Sequence, residues 1–212
     1  MRVHPVTILA LTAALAAGCA TSKPGAADAT SGPSPAANPG SAITESVLPV
    51  EGAGRVLVAY FSQGEATRAV AEDLAALLGA DIEVIAEKRT RGSGFFAFMG
   101  AGADATFGRA SPIEAPRYDA AAYDVVYVCT PVWSWSLCPP VRSYLRAFKG
   151  TLRRAAFATV SGDTDPDKIV GQMTEEGGVE PFAFVGFAER DFAPGNRQAY
   201  AAKIATLVDP LR

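Results

Sequence analysis

Histidine is almost missing from this chain. The one copy in 212 residues is His4, inside a stretch that reads as a removable leader. A mature chain without imidazole has no Ser-His-Asp or Cys-His nucleophile and no His-ligated metal site. Cysteine is scarce as well: Cys19, Cys129 and Cys138 are too few for a disulfide framework. Positive charge is not in excess. The 19 Lys and Arg against 22 Asp and Glu leave a formal net charge of −3. A nucleic-acid binder needs a basic face to neutralise phosphates, so nucleic acid is not an expected partner. Neither GxxxxGKS/T nor GxGxxG occurs. That removes an NTP-binding phosphate loop and weighs against a dinucleotide site.

What is present begins with an export pattern. Residues 1–18 read as a signal peptide, with Arg2 at the start and an apolar run from Val6 to Ala17. The run is too short for a comfortable membrane-spanning helix, which takes about 20 apolar residues. Leu15-Ala16-Ala17-Gly18-Cys19 resembles the lipobox of bacterial lipoproteins. The resemblance implies lipidation of Cys19 and an exported, membrane-anchored chain. Ala20 after the cysteine implies an outer membrane where the host has one. Residues 19–54 are dominated by Ala, Gly, Pro, Ser and Thr, with no aromatic. Such a segment buries too little apolar surface to offset its ordering entropy, so it is expected to be a disordered tether.

Residues 55–212 read as one folded domain of alternating strands and helices. Arg55–Phe61 is a nearly continuous apolar run, as in a strand covered on both faces. Val70, Leu74, Leu77 and Leu78 follow at helical spacing, with Gly79 as the stop. Ile82–Ile85, Asp124–Thr130, Ala155–Val160 and Phe182–Phe187 supply four further strands. Helices are expected after Pro139 and Pro140, over 166–173, and around Tyr200, Ile204, Leu207 and Val208. This alternation predicts a parallel sheet with helices on both faces. The long connection 89–123 carries Phe95, Phe96, Phe98 and Phe107. A short amphipathic helix is expected there, as extra core or as a flap near a ligand.

In such sheets ligands gather at the carboxyl ends of the strands. Three loops lie there. Ser62-Gln63-Gly64-Glu65-Ala66-Thr67 precedes the first helix, where free N–H groups favour a phosphate, although Ser62 or Thr67 also suits a helix cap. Pro131-Val132-Trp133-Ser134-Trp135 brings two indoles, suited to stacking on a planar ring or to packing at the rim. Ser161-Gly162-Asp163 opens the third loop, in which Gly162 permits close backbone approach and Asp163 or Asp165 suits a helix cap. A disulfide between Cys129 and Cys138 would have to cross the second loop.

Together these loops resemble the flavodoxin-like family. The stretch TPVWSWSLCPPVRSYL carries the resemblance most specifically, GFFAFMGAGADATFGR is similar to a stretch common in bacterial members, and the resemblance covers residues 55 to about 208. It implies an α/β three-layer sandwich, a five-stranded parallel sheet in the order 2-1-3-4-5, and FMN at the strand ends. Residues 62–67 would hold the FMN phosphate. Pro131–Trp135 would contact the isoalloxazine ring and ribityl chain, and Ser161–Asp163 would approach the pyrimidine edge.

The phosphate loop departs from the family's S-x-T-G-x-T, because Gly64 and Glu65 replace its Thr and Gly. A carboxylate about 4 Å from a phosphate costs on the order of 4 kcal/mol per unit charge at an effective dielectric near 20. A left-handed Glu65 would add roughly 1–2 kcal/mol. Alternatively, Gly64 takes the turn one residue earlier and Glu65 points into water. The expected function is FMN-dependent electron transfer or flavin-dependent reduction at a membrane. Its electron donor would be a membrane component or a protein rather than soluble NAD(P)H. The competing expectation is a non-enzymatic lipoprotein module with a degenerate flavin site.

Overall fold

The computed structural model describes residues 54–88 and 95–211, with the backbone alone for 95–99. The expected signal peptide, Cys19 and the expected tether up to residue 53 lie outside the described residues, as do the side chains of Phe95, Phe96 and Phe98. Among the described residues no helix is long and apolar enough to cross a membrane.

The first strand, β1 (Val56–Tyr60), is buried at every position. Its side chains divide by parity, as a strand covered on both faces requires. Val56, Val58 and Tyr60 belong to one core, while Leu57, Ala59 and the following Phe61 belong to the other. Helix α1 (Glu65–Leu78) packs Val70, Leu74 and Leu78, four residues apart, into the first core. Gly79 ends it in a left-handed conformation (φ 59°), its N–H bonding to Ala75 O.

Strand β2 (Asp81–Val84) pairs beside β1, and the long connection then forms α2 (Phe95–Thr106). Ala101 and Ala105 of α2 are buried one turn apart, whereas Phe107 just beyond it is exposed. Phe107 is therefore not extra core. Strand β3 (Val125–Trp133) runs three residues past the expected end, and β4 (Ser136–Leu137) folds back on it antiparallel. Helix α3 (Pro139–Ala147), β5 (Ala155–Ser161), α4 (Pro166–Gly177), β6 (Pro181–Ala188) and α5 (Arg197–Val208) complete the domain. The helix expected over 166–173 continues another turn, to a left-handed Gly178.

The sheet order is β2-β1-β3-β5-β6, all parallel, with β4 attached to β3. Counting only the parallel strands, this is the 2-1-3-4-5 order expected. One core lies between the sheet and α1 and α5; Tyr127 Oη of β3 donates to Leu207 O of α5 across it at 2.9 Å. The other holds Val126, Val128 and Phe157 from the sheet with Leu145 of α3 and Met173 of α4. Three layers result, and the carboxyl ends of β1, β3 and β5 stand side by side at one rim.

Candidate functional site

The rim's first piece is the turn from β1 into α1. Gly64 caps α1 in an extended conformation (φ −142°, ψ −168°), and no side chain caps the helix. Neither Ser62 nor Thr67 therefore acts as the cap. Ser62 Oγ donates to Gly64 O and accepts from Gly64 N–H at 3.3 Å, which holds the turn. The first N–H groups of α1 thus face outward without a side-chain acceptor, the arrangement that suits an anion. A Cβ built on Gly64 would meet nothing within 4 Å. Gln63 and Glu65 are exposed, Ala66 is half-buried, and Thr67 is buried beneath the turn.

Glu65 is the first residue of α1 and has no positive φ. Its carboxylate pairs with Arg68 one turn along the helix. Arg68 also faces Glu72 at 3.7 Å. The left-handed alternative for Glu65 is thereby excluded, and its charge lies beside a cation on the outer face of α1. Gly64 spares Glu65 the turn, but through an extended rather than a left-handed conformation.

The second piece is a hairpin rather than an open loop. Val132 pairs with Leu137 and Trp133 with Ser136, so Ser134 and Trp135 form a two-residue turn. Both have positive φ, 48° and 57°, which is the conformation of a type I′ turn. The two indoles part company here. Trp133 is half-buried and meets Phe61 edge-on at 5.6 Å, joining the β1 and β3 ends of the rim. Trp135 is 68% exposed at the tip. Pro131 and Val132 are half-buried in the extended part of β3.

The third piece follows β5. Ser161 Oγ accepts from Thr164 N–H at 3.0 Å, and Asp165 caps α4 by accepting from Asp167 N–H at 3.0 Å. Asp163 is not the cap. Gly162 and Asp163 are exposed, and a Cβ on Gly162 would meet nothing within 4 Å. A cleft of about 380 Å³ opens between this loop and the end of β6, lined by Ser161, Gly162, Asp163, Gly186, Arg190 and Lys203 among others. Its β6 wall had no counterpart in the sequence reading. Lys203 Nζ donates to Gly186 O at 2.8 Å and to Asp191 Oδ2 at 2.6 Å, while Asp191 accepts from Ala188 N–H. A lysine on a closing helix carries no sequence mark of such a place.

The thiols take no visible part. Cys129 and Cys138 are free and buried, so the disulfide is not formed. Burial pushes the Cys129 thiol up to about 12. Cys138 is pushed up to about 11 by burial, against a lowering contact from Thr130. Both stay protonated near neutral pH, which makes them poor nucleophiles. Among the described residues no group of three His, Cys, Asp or Glu side chains could hold a metal ion.

Comparison with known proteins agrees with this architecture. The flavodoxin family model matches residues 55–169, more than half of the chain, and the chain belongs to that family. A flavoprotein solved in complex with FMN from Lactobacillus acidophilus NCFM is similar in structure, with TM-score 0.54 and 19% identity. That likeness covers 70% of this chain and 99% of that one. A candidate flavoprotein from Bacteroides eggerthii DSM 20697 gives TM-score 0.52 at 20% identity, covering 72% of this chain and 98% of its own. One from Bacteroides uniformis ATCC 8492 gives 0.53 at 17%, covering 70% and 98%. At these identities the likeness establishes the fold. No curated protein matches the chain.

Proposed function

We propose that this chain binds FMN across the β1–β3–β5 rim and works as an electron-transferring flavoprotein, tethered to a membrane through lipidated Cys19. The observation that carries the reading is the uncapped start of α1 at an open Gly64, one strand away from an exposed indole at Trp135. Both features leave room where a phosphate and a flat ring would each find a partner. FMN, when bound, supplies the redox chemistry itself.

The chain's own residues bind and orient. The N–H groups of Glu65, Ala66 and Thr67 are the donors for the phosphate, and the Ser62 turn with Gln63 keeps them open. Trp135 offers its face to the ring, and Trp133, braced by Phe61, fixes the strand end beneath it. Backbone at Ser161, Gly162 and Asp163 is available to the pyrimidine edge, and the open space at Gly162 allows close approach. No protein acid, base or nucleophile is required, in keeping with a mature chain that lacks histidine. Pairing of Glu65 with Arg68 weakens the case for a decayed site.

Titration with FMN, followed by quenching of flavin fluorescence, tests the reading. Micromolar or tighter binding is expected. Absence of binding at high micromolar FMN would leave the fold as a module without a flavin. Anchoring is tested separately: Cys19→Ser should move the chain from the membrane fraction to the soluble one.

A further inference from the structure

The tip of the β3–β4 hairpin presents Trp135 from a backbone that resists being there. Two consecutive non-glycine residues have positive φ, a conformation that L side chains adopt only under strain. Strand β4 is only two residues long, so its pairing with β3 is too short to hold such a turn.

The outer edge of β4 explains how it is held. Trp133 and Ser136 close the two-residue turn, so Val132–Leu137 is the next, non-hydrogen-bonded pair. The N–H and C=O of Leu137 therefore point away from β3. Leu137 is fully buried, out of reach of bulk water. Two side chains satisfy it instead. Gln172 Oε1 of α4 accepts from Leu137 N–H at 2.7 Å, and Arg142 Nη2 of α3 donates to Leu137 O at 3.5 Å. Arg142 is itself pinned by Glu176 of α4, which also accepts from Arg146 Nε at 2.6 Å. At the tip, Gly102 of α2 lies so close to Ser134 that a Cβ there would collide with the Ser134 hydroxyl.

We propose that Gln172 and Arg142 are positioning residues for flavin recognition. By holding both polar groups of Leu137 they keep the left-handed Ser134–Trp135 turn in place and set where the Trp135 indole meets the ring. The proposal rests on the reading of Trp135 as a ring contact. Neither residue touches the ligand.

The test uses the full chain. Gln172→Leu keeps the bulk and removes the acceptor, whereas Gln172→Glu keeps an acceptor at the same reach. Two quantities are read: amide hydrogen exchange at Leu137 without FMN, and FMN affinity by fluorescence quenching. Gln172→Leu is expected to speed Leu137 exchange and to weaken FMN by about tenfold each. Gln172→Glu is expected to restore both to within about threefold of wild type. In a Trp135→Ala background, Gln172→Leu should have no further effect on FMN, because its action passes through the indole.

The proposal is overturned if Gln172→Leu binds FMN like wild type, if it weakens FMN equally with and without Trp135, or if Gln172→Glu performs no better than Gln172→Leu. Gln172→Ala takes the place of Gln172→Leu in the same comparisons should the latter fail to fold. A wild type that does not bind FMN removes the proposed function and this proposal with it. A wild type that binds, with insensitive variants, removes this proposal alone.

Discussion

Glu65 is the residue whose replacement says most about the phosphate turn. A bare carboxylate 4 Å from a phosphate would cost on the order of 4 kcal/mol per unit charge at a dielectric near 20, about a thousandfold in affinity. The structure leads to a much smaller figure. The Glu65 side chain is 76% exposed and its carboxylate is turned onto Arg68. Taking a separation on the order of 7 Å in near-bulk water, each unit of phosphate charge contributes about 0.6 kcal/mol. For a phosphate of nearly two charges this is about 1 kcal/mol, and the Arg68 cation offsets most of it. Glu65→Gln should therefore strengthen FMN binding by at most about fivefold. Arg68→Gln should weaken it by a similar factor, and the double variant should sit near wild type. Riboflavin, which lacks the phosphate, should bind all four proteins equally. The FMN differences should also shrink as salt is raised from about 0.05 to 0.5 M, where screening is strong. Calorimetric titration with both ligands measures all of this. A hundredfold gain on Glu65→Gln would refute the reasoning, because it would mean that the carboxylate faces the phosphate and not Arg68.

Three other outcomes follow from the same geometry. Trp135→Ala should weaken FMN by about tenfold, the scale of an aromatic stacking contact, while leaving thermal stability nearly unchanged because the indole is exposed; fluorescence titration beside a melting curve checks both. Gly186→Ala should lower stability by about 1–3 kcal/mol in urea unfolding, since the new Cβ would stand 2.8 Å from the rigid Pro166 ring. At Glu176 burial works to raise the carboxyl pKa, but hydrogen bonds from Arg146 and Arg142 outweigh it and leave the pKa below its ordinary value of 4.5. The unfolded chain then takes up this proton at higher pH than the folded one. The group's contribution is therefore complete above its unfolded pKa and is lost as pH falls through the lower native one. Glu176→Gln should accordingly lose less melting temperature than wild type between about pH 5 and pH 3.

The sequence carried the architecture in its periodicities. The unbroken apolar run Val56–Tyr60, whose alternate side chains enter two cores, and the spacing of four in Val70, Leu74 and Leu78 are signals that buried faces impose directly. Glycine marked the end of α1 for the same local reason. The hairpin was hidden because a two-residue turn normally announces itself with Asn-Gly or a similar pair, and Ser134-Trp135 has neither residue. Of the two side chains that hold Leu137, Arg142 stands in the same stretch of sequence, but Gln172 is 35 residues away and no local window contains it. The position of Glu65 was more nearly legible. An arginine three residues on from a glutamate is a helix-surface pair by spacing alone, and that pair decides where the charge goes.

The strained tip and its clamp are two sides of one arrangement. Two left-handed residues cost roughly 2–4 kcal/mol. Full burial of Leu137 returns about 1.5–3 kcal/mol. The side-chain hydrogen bonds at its N–H and C=O add about 1 kcal/mol each. The terms nearly cancel, so the turn persists without glycine. Glycine would relieve the strain, but at position 135 it would also delete the indole. A flat, polarisable face held at the strand end is what a planar ring needs, and an exposed tryptophan on an unsupported loop would lose its ordering entropy on each binding event. Support from α3 and α4 removes that loss in advance. The helices that build the second core therefore also preorganise the rim, and substitutions at Glu176 should be felt at the flavin as well as in the fold.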